Sequence, residues 1–314
     1  MVTPLRVVFF GTPAFAVPSL ERLVASPHTV VGVVSQPDRP SGRGQHTHDT
    51  PVKAASARHG IPVFQPATLK DPSIEPSLLA LAPDLGVVAA YGRILPSRLL
   101  TLPRLGMINV HASLLPHYRG AAPVHRAVMN GDRETGVTIM RVVPELDAGA
   151  MFATVTRPID PEDTSDVVER DLAALGAALL VDVVNLMARG AASETPQDAS
   201  QATYAARLTK QEGHLDWTQP AEPLRNRVRG LYPWPHAYTF LDGTRLILLH
   251  TRPGRDGHTA APGTVLKADA EGILVAAGSG TSLLIDQLQP EGRRPMEARA
   301  FLASRPIPPG VTLS

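Results

Sequence analysis

Asn109-Val110-His111-Ala112-Ser113-Leu114-Leu115-Pro116-His117-Tyr118-Arg119-Gly120-Ala121-Ala122-Pro123 carries a short apolar run into a loop broken by proline and glycine. The run Met107–His111 has the composition of a buried parallel strand. Residues i and i+2 of a strand share a face, so Asn109 and His111 aim at one small volume. An amide N–H that can hold a developing oxyanion, beside a group that can carry a proton, is equipment for acyl transfer. The chemistry alone leaves a second reading open, in which the two are ordinary hydrogen-bonded residues at a strand end.

Around this stretch, strand and helix patterns alternate from residue 5 to residue 189. Val7–Phe10, Val30–Val34 and Leu85–Ala90 are further apolar runs of the parallel-strand type, and Val137–Val143 and Met151–Ile159 read as two more strands. Thr50-Pro51 supplies an N-cap and a first-turn proline, with Gly60 closing that helix. A helix is expected over Gly120–Asn130. A long amphipathic one follows from Ser165, with Val168, Leu172, Leu175, Leu179 and Val183 on one face and Gly190 as its stop. This alternation predicts a doubly wound, Rossmann-like α/β domain over residues 1–189. Ala, Ser, Thr and Gln without periodicity mark 190–206 as a linker. Residues 207–314 begin with a short helix at Pro220–Gly230 and are β-rich thereafter. Tyr238–Leu241 and Arg245–His250 flank the turn signal Asp242-Gly243, and Thr264–Lys267, Gly272–Ala276 and Ser282–Leu288 complete five strands. A small OB-like β-barrel is expected there.

A chain of 314 residues suits two domains, and 43 % hydrophobic content suffices for two ordinary cores. The net charge of +1 announces no nucleic-acid partner, so any RNA contact must be a local patch. The absence of cysteine excludes disulfides, thiolate nucleophiles and cysteine-ligated metals, and fits a reducing cytoplasm. The apolar run near the N-terminus is too short for a signal peptide. Leu172–Met187 is interrupted by Asp182 and Asn185, so no membrane span is expected. Gly11-Thr12-Pro13 follows the first strand where a dinucleotide-binding protein carries G-x-G-x-x-G. That pattern is missing and Pro13 lacks an N–H, which disfavours a nicotinamide cofactor.

The signature at 109–123 resembles that of the 10-formyltetrahydrofolate-dependent formyltransferases. Phe10–Pro13, Ser35–Gly44, Glu134–Met140, Leu146-Asp147-Ala148-Gly149 and Tyr232-Pro233-Trp234-Pro235 match the same family in the same order. The last blocks and the chain length are similar to the members that formylate methionyl-tRNA. The resemblance implies the two-domain layout above and a transfer from 10-formyltetrahydrofolate, the co-substrate, to the amino group of initiator methionyl-tRNA. It implies a catalytic set of Asn109, His111 and Asp147, the last of which lies in the loop after the strand Val137–Val143. A carboxylate near the imidazole would hold its tautomer. Ser113, Leu114, Leu115 and Pro116 resemble the folate-binding segment, with Ala89, Tyr91 and Gly92 expected to line the pterin pocket through their backbone. No metal is expected; His46 and His48 with a nearby carboxylate are a weak ligand set.

For tRNA, the resemblance points to Arg43 and Arg39 in the long loop at 35–53, where Gln45-His46-Thr47-His48-Asp49 replaces the lysines that relatives tend to carry. Arg207, Lys210, Arg225, Arg227 and Arg229 gather around the linker and the short helix at Pro220–Gly230. Arg225 and Arg229 share a face at i and i+4, and the functional reading makes that face, with Lys210, a phosphate-contacting ridge. The alternative is a solvated helix surface. Trp234, between prolines, reads as a buried structural aromatic. A cytoplasmic monomer is expected. Three competing readings stay open: formylation of a nucleotide sugar, hydrolytic release of formate from the folate, and a non-catalytic RNA-binding module.

Overall fold

A computed structural model describes residues 3–41 and 46–314. Contacts divide the chain into two units, Met1–Pro123 with Thr135–Arg157 and Glu169–Ala205, and Val124–Glu134 with Pro158–Val168 and Ala206–Ser314.

The first unit holds a seven-stranded sheet made of β1 (Arg6–Gly11), β2 (Thr29–Val34), β3 (Val63–Phe64), β4 (Leu85–Ala89), β5 (Met107–His111), β6 (Glu134–Arg141) and β7 (Met151–Pro158). Their order is β7-β6-β5-β4-β1-β2-β3. The pairs from β5 to β3 are parallel, whereas β6 runs antiparallel to β5. Five of the six residues of β1 are buried, as a strand covered on both faces requires. The sheet is wound in both directions from β1, so the carboxyl ends of β1, β4 and β5 form the edge where such folds bind ligands. Helix α1 is Val17–Val24. Helix α2 (Pro51–Arg58) starts as its sequence dictates: Thr50 Oγ1 accepts from the Lys53 N–H at 3.2 Å.

Helix α3 is Pro123–Asn130, and α4 is Ser165–Ala188. The α4 helix is long and apolar enough to cross a bilayer. Its apolar face, however, lies on the sheet: a Cβ on Gly176 would sit 2.9 Å from Val110 and 3.1 Å from Val137. The buried stripe is Val168, Leu172, Ala173, Ala177, Leu180, Val183 and Val184. Leu175 and Leu179, expected on that face, are only half-buried. The small residues Gly176 and Ala177 set the line of closest approach and rotate the stripe toward themselves.

Of the stretch 190–206, expected to be a linker, residues 190–205 are part of the first unit. Thr195 and Met151 exchange backbone hydrogen bonds of 2.8 and 2.9 Å. Tyr204–Ala205 forms a short parallel pair with Arg119–Gly120, a two-residue strand that takes the place of the expected start of α3. Composition missed this because backbone pairing asks for no apolar periodicity when the pairing partner lies at a surface loop.

The second unit contains α5 (Ala221–Gly230) and an antiparallel sheet of β8 (Ala237–Leu241), β9 (Thr244–Pro253), β10 (Val265–Asp269), β11 (Gly272–Ala276) and β12 (Ser282–Pro290). The order is β8-β9-β12-β11-β10, with Met296–Glu297 also paired to β12. Asp242 and Gly243 adopt φ of 48° and 74°, the paired positive values of a two-residue hairpin turn. The last residues bridge the two sheet edges. Phe240 and Ser314 exchange bonds of 2.7 and 3.1 Å, Val265 donates to Val311 at 2.7 Å, and Leu313 donates to Gly263 at 2.8 Å. The C-terminal segment thereby closes the sheet into the expected OB-like barrel.

Candidate active site

Asn109 lies opposite Met140 of β6 and Val88 of β4, and His111 lies opposite Thr138. The His111 ring is 5 % exposed. Its Nε2 is 3.0 Å from the carbonyl oxygen of Tyr118. A carbonyl only accepts, so that nitrogen bears a hydrogen, and the other ring nitrogen, Nδ1, is turned toward the Asp147 loop. There it meets Asp147, whose Oδ2 is 3.8 Å from Nδ1, beyond a direct hydrogen bond. The backbone N–H of Gly120 instead donates to that same Oδ2 at 2.8 Å. The carbonyl of Tyr118 orients the imidazole, where a carboxylate was expected to do so. The side-chain amide of Asn109 is half-buried and makes no hydrogen bond to any described residue. A strand-end amide placed beside a histidine and left unpartnered is available to a ligand.

Asp147 sits at φ 48°, in the left-handed region that costs a non-glycine residue about 1 kcal/mol. Three features hold it there. Gly149 passes so close to Arg141 that a Cβ would overlap its carbonyl oxygen. The Gln197 Nε2 donates to the carbonyls of Asp147 (2.8 Å) and Gly149 (2.7 Å). The Gln197 Oε1 accepts from the Nε and Nη2 of buried Arg119 at 3.1 and 2.8 Å. Gln197 thus ties the Asp147 loop to the loop that carries Tyr118 and Gly120. Composition does not single it out, because it lies in the aperiodic stretch 190–206. A glutamine beside a proline in a polar run gives no periodic signal.

The loop after β5 is pinned by Thr138, whose Oγ1 donates to the Ser113 carbonyl at 2.8 Å and accepts from the Leu115 N–H at 3.1 Å. Ser113 Oγ donates to the His117 carbonyl at 2.6 Å. Ser113 and Leu115 are therefore committed to the loop and the core, while Leu114 and Pro116 keep half-exposed edges. On β4, Ala89 is buried, Ala90 is exposed at φ 44° and Gly92 is exposed at φ 81°. Tyr91 points inward: its ring is 1 % exposed, meets Phe10 edge-on at 5.6 Å and has its pKa raised by burial. Its carbonyl accepts from Thr12 Oγ1 and Gln36 Nε2 at 3.2 and 2.8 Å. The Tyr91 side chain belongs to the core, leaving the Ala90–Gly92 backbone as the exposed part of that segment.

The expected tRNA residues fare unevenly. Arg43 lies outside the described residues, and of Arg39 only the backbone, in the short pair Arg39–Ser41 with His46–His48, is described. Lys210 is exposed. Arg225 and Arg229 do not form a phosphate-facing ridge. Arg225 is 9 % exposed, ion-paired to Glu162 and donating to the Pro161 carbonyl at 2.7 Å. Arg229 is 8 % exposed and donates to Asn226 Oδ1 at 2.8 Å and to the Asp163 carbonyl at 3.1 Å. Burial lowers its pKa. The shared face was read correctly, but it is the inward face, and its charges are consumed by the segment 160–163. Trp234, expected to be buried, is 49 % exposed.

The sheet gathers a free amide, an oriented imidazole and a carboxylate, groups suited to acyl-group chemistry. The formyl transferase family matches residues 5–184, and the formyl transferase C-terminal domain matches residues 207–306. The chain belongs to this family, and within it to the group named methionyl-tRNA formyltransferase. The protein of that name from Moorella thermoacetica is 47 % identical over 98 % of this chain and 99 % of its own length. That from Thiobacillus denitrificans is 48 % identical over 98 % and 99 %. Among solved structures, the N-formyltransferase from Helicobacter canadensis, in complex with folinic acid and dTDP-3-aminofucose, has a TM-score of 0.68 at 15 % identity, covering 90 % of this chain and 98 % of that one. HypX from Aquifex aeolicus in complex with tetrahydrofolic acid has a TM-score of 0.64 at 18 % identity, covering 96 % of this chain and 47 % of the other. These two likenesses concern the fold.

Proposed function

We propose that this chain transfers the formyl group of 10-formyltetrahydrofolate to the α-amino group of initiator methionyl-tRNA, with Asn109, His111 and Asp147 as the catalytic set. The observation that carries the reading is the unpartnered Asn109 amide on the same strand face as the oriented His111 ring, with Asp147 Oδ2 3.8 Å from Nδ1. The amine attacks the formyl carbon, forming a C–N bond. Asn109 donates to the carbonyl oxygen as it becomes an oxyanion, and His111, protonated on Nδ1 as well as on Nε2, places positive charge beside it. The proton leaving the attacking nitrogen passes to Asp147, directly or through a water between Oδ2 and Nδ1. The bond from carbon to the folate N10 then breaks and N10 takes a proton, so the exchange is balanced without a metal or a covalent enzyme intermediate.

The backbone of Ala90–Gly92 and the half-exposed edges of Leu114 and Pro116 are the groups placed to frame a pterin ring beside that centre. Arg39, Arg43 and Lys210 are the cations assigned to the tRNA. A cytoplasmic monomer suits this reading, because each chain carries a complete set of these residues. Replacing Asn109 or His111 by Ala should lower kcat about a hundredfold or more, with folding intact by circular dichroism. The assay follows labelled formyl donor into charged initiator and elongator tRNA. Near-normal turnover by either variant removes that residue from the catalytic set, and transfer to free methionine as fast as to methionyl-tRNA removes the proposed acceptor.

A further inference from the structure

Trp234 stands half-exposed at a surface cavity of about 330 Å³ in the second unit, lined also by Lys210, Gln211, Pro235, Tyr238, Arg245 and Ile247. No carboxylate is among these residues. Tyr238 and Ile247 are directly paired across the β8–β9 hairpin, and Arg245 lies two residues from Ile247, so the three share the outer face. The Arg245 guanidinium is 3.9 Å from the Tyr238 ring centroid, and its Nε has no hydrogen-bond partner among the described residues. Tyr238 stacks in turn on His214, at 5.4 Å and 18° between planes. Lys210 has no ion-pair partner among the described residues and is exposed.

An exposed indole costs apolar hydration that core packing does not recover. Here it stands beside a fixed guanidinium and an exposed ammonium, with no carboxylate among the lining residues. Flat aromatic surface interleaved with cations is what a single-stranded nucleic acid uses, since each base has a π-face and each linkage a negative charge. The cavity is of a size to hold one nucleotide rather than a duplex.

We infer that this cavity is a binding site for one unpaired nucleotide of an RNA, its base stacked on Trp234 and its flanking phosphates held by Lys210 and Arg245. The inference rests on the reading of tRNA as a substrate and adds to it a place where the RNA must be single-stranded. It also replaces the buried arginine face of α5 as the charged surface of this unit.

The chain has two tryptophans. Trp217 is 5 % exposed, with its indole N–H donated to Thr239 Oγ1 at 3.0 Å. A collisional quencher such as iodide therefore reports on Trp234 in the full-length protein. Titration with a short single-stranded RNA should quench that fluorescence and shield it from iodide, and a blunt RNA duplex should do neither. Trp234→Leu should abolish the signal and weaken methionyl-tRNA binding about 5- to 100-fold, the loss for one stacked base, while Trp234→Phe recovers most of the affinity. Lys210→Ala should lower the slope of log affinity against log salt by about one. Wild-type tRNA affinity in Trp234→Leu, or quenching by duplex as strong as by single strand, overturns the nucleotide site while leaving formyl transfer standing. A wild-type protein that neither binds nor formylates methionyl-tRNA overturns the wider reading as well.

Discussion

Gln197→Ala removes four hydrogen bonds at once and exposes what holds the Asp147 loop in its left-handed backbone. Two of the four run from the Gln197 amide to the Asp147 and Gly149 carbonyls, and two are accepted from Arg119, whose side chain is 6 % exposed. A net contribution of about 1 kcal/mol for each bond, with more for the bonds from a charged donor, sets a loss of about 4 kcal/mol. Part of this is recovered where water reaches the carbonyls, so a measured loss of about 2–4 kcal/mol in urea unfolding of the first unit is expected. With its tie gone, Asp147 relaxes from φ 48°, and a carboxylate displaced by about 1 Å lowers kcat on the order of a hundredfold. Gln197→Glu separates the two effects. It retains an acceptor for Arg119 but sets a carboxylate against two carbonyls, so it should keep stability within about 1 kcal/mol while losing most of the rate. Full turnover by Gln197→Glu, or unchanged unfolding of Gln197→Ala, would refute the positioning role.

Two further tests concern the second unit. Arg229→Met should lower the stability of that unit by about 2 kcal/mol, through loss of its hydrogen bonds to Asn226 Oδ1 and the Asp163 carbonyl, while the salt slope of tRNA binding stays at its wild-type value. A shallower slope with unchanged stability would restore the arginine to the RNA surface. His250 loses affinity for its proton through burial, but its hydrogen bonds to Asp286 (2.6 Å) and Glu162 (3.2 Å) outweigh that and its pKa is raised above 6.5 in the folded chain. The stabilisation it supplies is therefore complete below that ordinary value and is lost as pH rises through the raised one. Urea midpoints at about pH 6 and about pH 8 should show the advantage of the native chain over His250→Gln shrinking at the higher pH, and parallel profiles would disprove the linkage.

Much of both units was legible because the signals are periodic or positional. Buried strands announce themselves as unbroken apolar runs, and Met107–His111 in the parallel sheet and Gly272–Ala276 in the antiparallel one match their predicted limits. Thr50-Pro51 and Asp242-Gly243 fix a helix start and a hairpin turn through the φ that proline imposes and the φ that glycine permits. The i, i+2 rule placed Asn109 and His111 together without tertiary knowledge. The partners of His111 were not legible in the same way. Its ring is oriented by a backbone carbonyl, and backbone atoms leave no trace in residue identity.

The misread residues share one cause: polarity gives a period but not a direction. Arg225 and Arg229 were placed on one helix face, and they share one. Whether that face meets solvent depends on Asp160–Asp163, more than sixty residues earlier, whose carbonyls and Glu162 carboxylate accept the guanidinium protons. A guanidinium has enough donors to be buried when such acceptors converge, which a helical wheel cannot show. Trp234 errs in the opposite sense. Prolines on either side suggest a locked core aromatic, yet locking an indole in place serves equally well to hold it outward, over a cavity with Lys210 and Arg245 at its rim. The electrostatic surface of this unit therefore cannot be drawn by counting arginines. It follows from which cations lack a carboxylate, and on that criterion Lys210 and Arg245 stand apart from Arg225.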